Sequence, residues 1–410
     1  ALILLPEFNK LFASTYKNSA AFILVSANSW SIFTNTISAF VSTNSICQGQ
    51  QVPILWPLIF KNGYKINFAH TSFKWANLAS YNAGVSVVIV GISNKASTSK
   101  RLFSMAENGD TVEKNVTNIN AYLTASDNII IEKESKPICE VSEMKFGNKP
   151  VDGGNLLLSK SEVELLKLSK EQKYKFIRRI YGSAEFIRGV ERYVLWIKDE
   201  DLNEALAINA IRKRVGAVKA MRLKSKDKSA NKMALKAHQM REMNIGLKNS
   251  LIIPSVSSEN REYLPAGLIN SNSTLNNAAF GIFDCSLWNL AIIVSRVHIV
   301  WIKTVCGQLE TRLRYSNTLG WNTFPLPTLT QKNKEDLTAT AEEILIARER
   351  HFPATIAELY DPEKMPKDLR LAHERNDEVL ERIYIGRKFK NDTERLEKLF
   401  ELYTKMTTKK

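Results

Sequence analysis

The 410-residue sequence predicts an α/β first portion, an α+β middle and a helical C-terminal region. Three observations carry this. Strand-like runs at residues 39–42, 64–70 and 85–91 alternate with an apolar helix-like run at 52–60, the spacing of an α/β domain. The middle holds short apolar runs separated by Gly, Pro, Ser and Asn. From Gln331 onward Leu337, Ala341, Ile344 and Leu345 recur at helical spacing.

Residues 1–38 are rich in Ser, Asn, Thr and Ala and show no clean period. The run 39–42 then reads as a buried strand that turns polar at Thr43, Asn44 and Ser45 and hands over to the 52–60 helix. This puts polar side chains at the carboxyl end of a strand, where open α/β sheets bind ligands. His70-Thr-Ser-Phe73-Lys74-Trp75-Ala-Asn77 reads as a polar loop between two strands, and 115–131 as a strand or helix pair. Gly147, Pro150, Gly153 and Gly154 mark 144–154 as a boundary or tight turn, whose free backbone N–H groups could cradle a phosphate. Ser161-Glu-Val-Glu carries a capping-box-like helix start. Residues 192–197 read as a strand buried on both faces.

Residues 199–240 form a basic helical region. Ile208, Ile211, Val215 and Val218 give it one apolar face. Between Arg212 and Lys236 stand ten Lys/Arg residues against one acid, Asp227. Arg212, Lys213, Arg214, Lys219, Arg222 and Lys224 are candidates for DNA phosphate contact, with a solvated helix face as the alternative. Residues 251–265 read as strand, polar turn, strand. At the turn, Ser258, Glu259, Asn260 and Arg261 have the chemistry to read base edges, or to close a salt-bridged tip. The apolar stretch 280–302 carries Asp284, Arg296 and His298, which argues for buried elements rather than a membrane span. Arg312 and Arg314, beside Tyr315, are further DNA-contact candidates. Residues 322–327 read as a stiff linker. Asp361-Pro362 predicts a helix N-cap, 369–384 a helix ended by Gly386, and 391–406 one more.

The formal charge of +15 is clustered, which points to a polyanionic partner, most simply double-stranded DNA. The four cysteines lack CxxC spacing, so no zinc ribbon and no other metal site is expected. No segment reads as a convincing signal peptide, so a cytoplasmic protein with reduced thiols is expected.

The run 40–93 resembles the later half of the methyltransferase domain in the MmeI-like, type IIL restriction–modification enzymes. The likeness continues to about residue 384. It includes the turn-rich junction 144–154, the stretch 176–197, the Ser257-Ser-Glu-Asn-Arg261 turn, Arg314-Tyr-Ser316 and Phe324-Pro-Leu-Pro327. The resemblance implies four parts: an atypical segment 1–38, the C-terminal part of a methyltransferase domain at 39–150, a target recognition domain at 151–328, and a helical region at 329–410. It implies an adenine-specific DNA methyltransferase that uses S-adenosylmethionine, with Phe73 and Trp75 as the aromatic face for an extruded adenine and Asn44 and Lys74 as its polar neighbours. The family's Gly-rich cofactor loop and Asn-Pro-Pro-aromatic motif do not occur in these residues. The expectation is therefore that 1–38 does not derive in frame from the catalytic motif region, and that the chain alone is incomplete for catalysis, with no catalytic residue assigned. Two other readings stay open: a specificity subunit that partners a separate catalytic chain, and an inactive remnant.

Overall fold

The structure, a computed structural model, describes residues 37–74, 86–95, 98–105, 109–309 and 312–408. Contacts divide the chain into two compact units. One takes Ala1–Cys139, Val300–Thr328 and Arg387–Lys410; the other takes Glu140–Ile299 and Leu329–Gly386.

The first unit is built on a sheet of β1 (Ser38–Thr43), β2 (Lys65–Lys74), β3 (Ser86–Ser93), β4 (Lys100–Met105) and β5 (Thr111–Val116). The order is β1-β3-β2-β4-β5, with β2 and β4 parallel and the other pairs antiparallel. Val87, Val88, Val90 and Ile92 of β3 are all buried, so this strand is covered on both faces. Helix α1 (Val52–Lys61) joins β1 to β2. Its Trp56 Nε1 donates to the carbonyl of Ile46 at 2.7 Å, tying the helix to the turn after β1.

The pair of elements expected at 115–131 does not form beyond β5. Asn120 is fully buried; its Oδ1 accepts from the backbone N–H of Tyr122 and Thr124 at 2.9 and 3.1 Å, and its Nδ2 donates to Ser126 Oγ at 2.8 Å. A side chain that supplies the backbone's partners removes the need for a ladder. The last helix, Asp392–Thr407, belongs to this unit. The Phe400 ring lies 5.3 Å from that of Tyr122 and 5.5 Å from that of Trp301.

The second unit holds two four-stranded sheets. One is antiparallel throughout, in the order Gly267–Asn270, Asn249–Pro254, Ala279–Phe283 and Lys145–Phe146. The other runs Ser273–Leu275, Ile177–Tyr181, Tyr193–Leu195 and Leu157–Leu158, with its first pair parallel. Helix α2 (Asn209–Leu223) lays Ile211, Val215 and Val218 onto a core with Leu156, Phe176, Val194 and Trp196. Helices α3 (Gln331–Glu349) and α4 (Lys367–Ile385) pair through a 2.8 Å bond from Thr340 Oγ1 to Asn376 Oδ1. Gly386, at φ 75°, ends α4 as the sequence predicts.

Three local expectations change. The capping box forms at Ser159 and Glu162 rather than from Ser161. Asp361 closes a turn instead of capping a helix: its Oδ1 accepts from Glu363 N at 3.0 Å, and α4 begins only at Lys367. The 144–154 turn already holds an anion, and it is its own. Asp152 Oδ2 accepts from the N–H groups of Leu156 and Leu157 at 2.7 and 3.0 Å, and Oδ1 from Gly154 at 3.1 Å. Those donors are therefore spent on the carboxylate, and the phosphate-cradle reading is set aside. Among the described residues no helix is long and apolar enough to cross a membrane.

Candidate nucleic-acid interface

In the first unit the candidate base-binding residues sit where β1 and β2 end. Asn44 opens the turn after β1, is buried, and donates from Nδ2 to Ser72 Oγ at 3.2 Å. Residues 70–74, expected as a loop, are strand: β2 runs on through Lys74. The extension carries a bulge, because His70 pairs with Ile89 while Phe73 pairs with Val87. Three residues apart on a regular strand, His70 and Phe73 would face opposite ways; one extra residue brings them to the same face. Their rings meet edge to face at 5.3 Å. His70 in turn stacks on Phe103 of β4 at 5.5 Å, and the Arg101 guanidinium lies 5.6 Å from the Phe103 ring.

Asn44 and Ser72 line a cleft of about 620 Å³ together with Leu102, Ser104, Lys303 and Thr304. Leu102 and Ser104 alternate along β4 with Arg101 and Phe103, so this cleft lies on the other face of the sheet. Asn44 and Phe73 are thus brought to one end of the sheet but not to one pocket. Lys74 is exposed at the end of β2. Trp75 lies outside the described residues. His70 and Phe103 belong to this aromatic strip and were not anticipated; only the bulge joins them to Phe73, and a bulge leaves no mark in hydrophobic periodicity.

In the second unit, the basic residues of α2 separate into two groups. Arg222 is fully buried and donates to five backbone carbonyls, those of Pro150, Val151, Met233, Lys236 and Gln239, at 2.7 to 3.0 Å. Burial pulls its guanidinium below the usual range, with the charge of Asp152 opposing. Arg222 is therefore withdrawn from the DNA-facing set. Arg212 donates from Nε to the carbonyl of Leu206 at 2.7 Å, and half-buried Arg214 is paired with Glu162 at 2.5 Å. Lys213, Lys219 and Lys224 are exposed, as are Lys226, Lys228 and Lys232, and none of the six has an ion pair among the described residues.

The 258–261 turn follows the strand Asn249–Pro254, but no second strand reaches 265. Asn260 is exposed, and its N–H donates to Ser258 Oγ at 3.4 Å. Arg261 donates from Nη1 to Ser257 Oγ at 3.2 Å. Burial lowers the Arg261 guanidinium, with Asp361 opposing and Arg188 adding to the shift. Glu259 is half-buried beside it. Arg312 and Arg314 sit in the first unit, both exposed on either side of buried Leu313, on a strand paired with Gln308–Leu309.

With these elements placed, the chain can be set against known proteins. Residues 125–328 match the family described as "MmeI, target recognition domain", 10–104 match "MmeI, DNA-methyltransferase domain", and 329–409 match "MmeI, C-terminal domain". The chain belongs to the MmeI-like family. The methyltransferase-domain match begins at residue 10 and so takes in part of the 1–38 segment. DNA methyltransferase A of Bacillus subtilis (strain 168) is 42% identical over 375 residues, which cover 91% of this chain and 42% of that protein. The solved structure of the type IIL restriction–modification enzyme MmeI in complex with DNA superimposes with a TM-score of 0.82 at 34% identity. That match covers 98% of this chain and 55% of MmeI. The chain thus spans about half the length of the relatives it matches. In MmeI-like terms, the five-stranded sheet lies largely in the methyltransferase match, α2 and the 258–261 turn lie in the recognition-domain match, and α3 and α4 lie in the C-terminal match.

Proposed function

We propose that this chain is the sequence-specific DNA-recognition portion of an adenine-specific DNA methyltransferase of a restriction–modification system, together with the far side of its methyltransferase sheet. The observation that carries the reading is the set of six exposed, unpaired lysines on α2 and the segment after it. In this reading Lys213, Lys219 and Lys224 neutralise DNA phosphates and set orientation, while Glu259, Asn260 and Arg261 meet base edges. Arg312 and Arg314 add backbone contacts. Phe73, backed by His70, supplies the aromatic face for the extruded adenine. Both the Bacillus relative, a DNA methyltransferase, and the DNA complex of MmeI support DNA as partner.

The methyl donor of such a reaction is S-adenosylmethionine, and the described residues of the first unit do not fit it. The turn after β1 offers one glycine, Gly49, at φ 56°, and a Cβ there would lie 3.0 Å from the Gly307 backbone nitrogen. Its openness is spent on chain packing, not on a ligand. The relatives extend well beyond the part matched here, and the second reading has a separate catalytic chain supply the residues that hold the cofactor.

Salt titration of binding to mixed-sequence duplex DNA tests the phosphate contacts. Replacing Lys213, Lys219 and Lys224 by Ala is expected to flatten the log–log salt slope by about 0.9 for each phosphate no longer neutralised. An unchanged slope would show that α2 does not face DNA. A labelled methyl-transfer assay then separates the two catalytic readings. No label from the chain alone, restored by a catalytic chain added in trans, supports the second; label from the chain alone rules it out.

A further inference from the structure

The two residues that follow Arg261 are both held by α4. Glu262 is ion-paired with Arg370, and Arg296 approaches its other oxygen at 3.8 Å. Tyr263 is buried, and its hydroxyl donates to Asp377 Oδ2 at 3.1 Å. The Tyr263 ring stacks on the His373 imidazole at 4.1 Å. Asp377 is fixed in turn, because its Oδ1 accepts from the Arg296 backbone N–H at 2.7 Å.

Behind this lies a second layer. His373 Nε2 is 2.7 Å from the Tyr360 hydroxyl oxygen, which accepts from Arg348 Nε at 2.8 Å. Arg348 can only donate, so the single Tyr360 proton is directed at His373, which must accept it as a neutral imidazole. Arg348 Nη1 also donates to the carbonyl of Ala266 at 2.7 Å. The segment between Arg261 and the strand Gly267–Asn270 is thus fastened at both ends to α3, α4 and the Tyr360 segment, all of which lie in the C-terminal-domain match.

We propose that Arg370, His373 and Asp377 of α4 are positioning residues for DNA specificity: by holding Glu262 and Tyr263 they fix which base pair Glu259 and Arg261 meet. This rests on the reading of the 258–261 turn as a base-contacting segment. A reader of base edges needs its side chains held to a fraction of a hydrogen-bond length, and a turn cannot do that alone. Here the rigid support comes from a different domain match than the turn itself.

The test is selection of preferred sites from a pool of random duplex DNA, with the full chain and three variants. Glu259→Ala removes a proposed base contact. Tyr263→Phe removes one hydroxyl and keeps the ring on His373. Arg370→Lys keeps the charge at a partly exposed site but loses the planar fork, which guards against a Tyr263→Phe chain that fails to fold. We expect Glu259→Ala and Tyr263→Phe to relax preference at the same base-pair position, by about tenfold, the discrimination of one good contact. Arg370→Lys should relax that position too. Preferences elsewhere and the salt slope should stay unchanged, and the Glu259→Ala/Tyr263→Phe double variant should lose little more than either single one. A uniform loss of preference at all positions, or none in Tyr263→Phe and Arg370→Lys while Glu259→Ala relaxes its position, would overturn the positioning role alone. No change in Glu259→Ala would overturn the base-contact reading beneath it, and the positioning role with it.

Discussion

Arg222 and Lys213 stand nine residues apart on one helix, the first buried and the second exposed. The guanidinium of Arg222 is the common partner of five carbonyls from segments distant in sequence. Arg222→Met would strip this donor from all five carbonyls, of which that of Lys236 keeps the Gln239 N–H at 3.0 Å, and we expect it to cost about 3 kcal/mol or more in urea unfolding. Lys213→Ala should change stability by no more than about 0.5 kcal/mol, as exposed substitutions do. It should instead weaken DNA binding with a shallower salt slope. The sequence contained the distinction. Ile211, Val215, Val218 and Arg222 follow one another at spacings of four, three and four, so Arg222 continues the buried stripe. Charge alone groups it with the exposed lysines; position does not.

Among the elements, α4 and the helix Arg296–Val305 each bury a histidine. His373 is held well below its usual range, first by burial and then by the charges of Arg348 and Arg370. His298 is brought down to about 3 by burial. Both are neutral when folded, and unfolding releases them to titrate near pH 6.5. Their contribution is fully present above that value and falls as pH drops through it, by about 1.4 kcal/mol per pH unit for each histidine. Denaturant midpoints should therefore decline between pH 6.5 and 5, above the range where the carboxylates begin to protonate. A flat profile there would contradict the burial of both rings. Element identity was legible wherever a period could run: the apolar face of α2, the helices after Gln331 and the central β3 are all plain in the sequence. The departures share one cause, a polar side chain or a bulge standing in for regular pairing. Asn120 and Asp152 satisfy backbone groups themselves, and the β2 bulge carries a strand through Thr71 and Ser72, where composition reads as loop. The candidate site was readable as residue types. Which sheet face Asn44 and Phe73 occupy was not, because that depends on register, and register here is set by the bulge.

At the scale of the whole molecule, the first unit is assembled from three stretches separated along the chain, and the second is interposed between them. Leu399, Phe400 and Tyr403 complete the core around Trp301 only when the last helix arrives. Synthesis runs from the amino end at a few residues per second or more. The sheet of the first unit is therefore made first and finished last, while the second unit has its full complement of residues by Gly386. Purified chain shortened to end at Gly386 should resist protease across 140–386 and be cleaved near Trp301, where chain that carries Asp392–Thr407 is protected. On the ribosome, then, the second unit would be ready before the first.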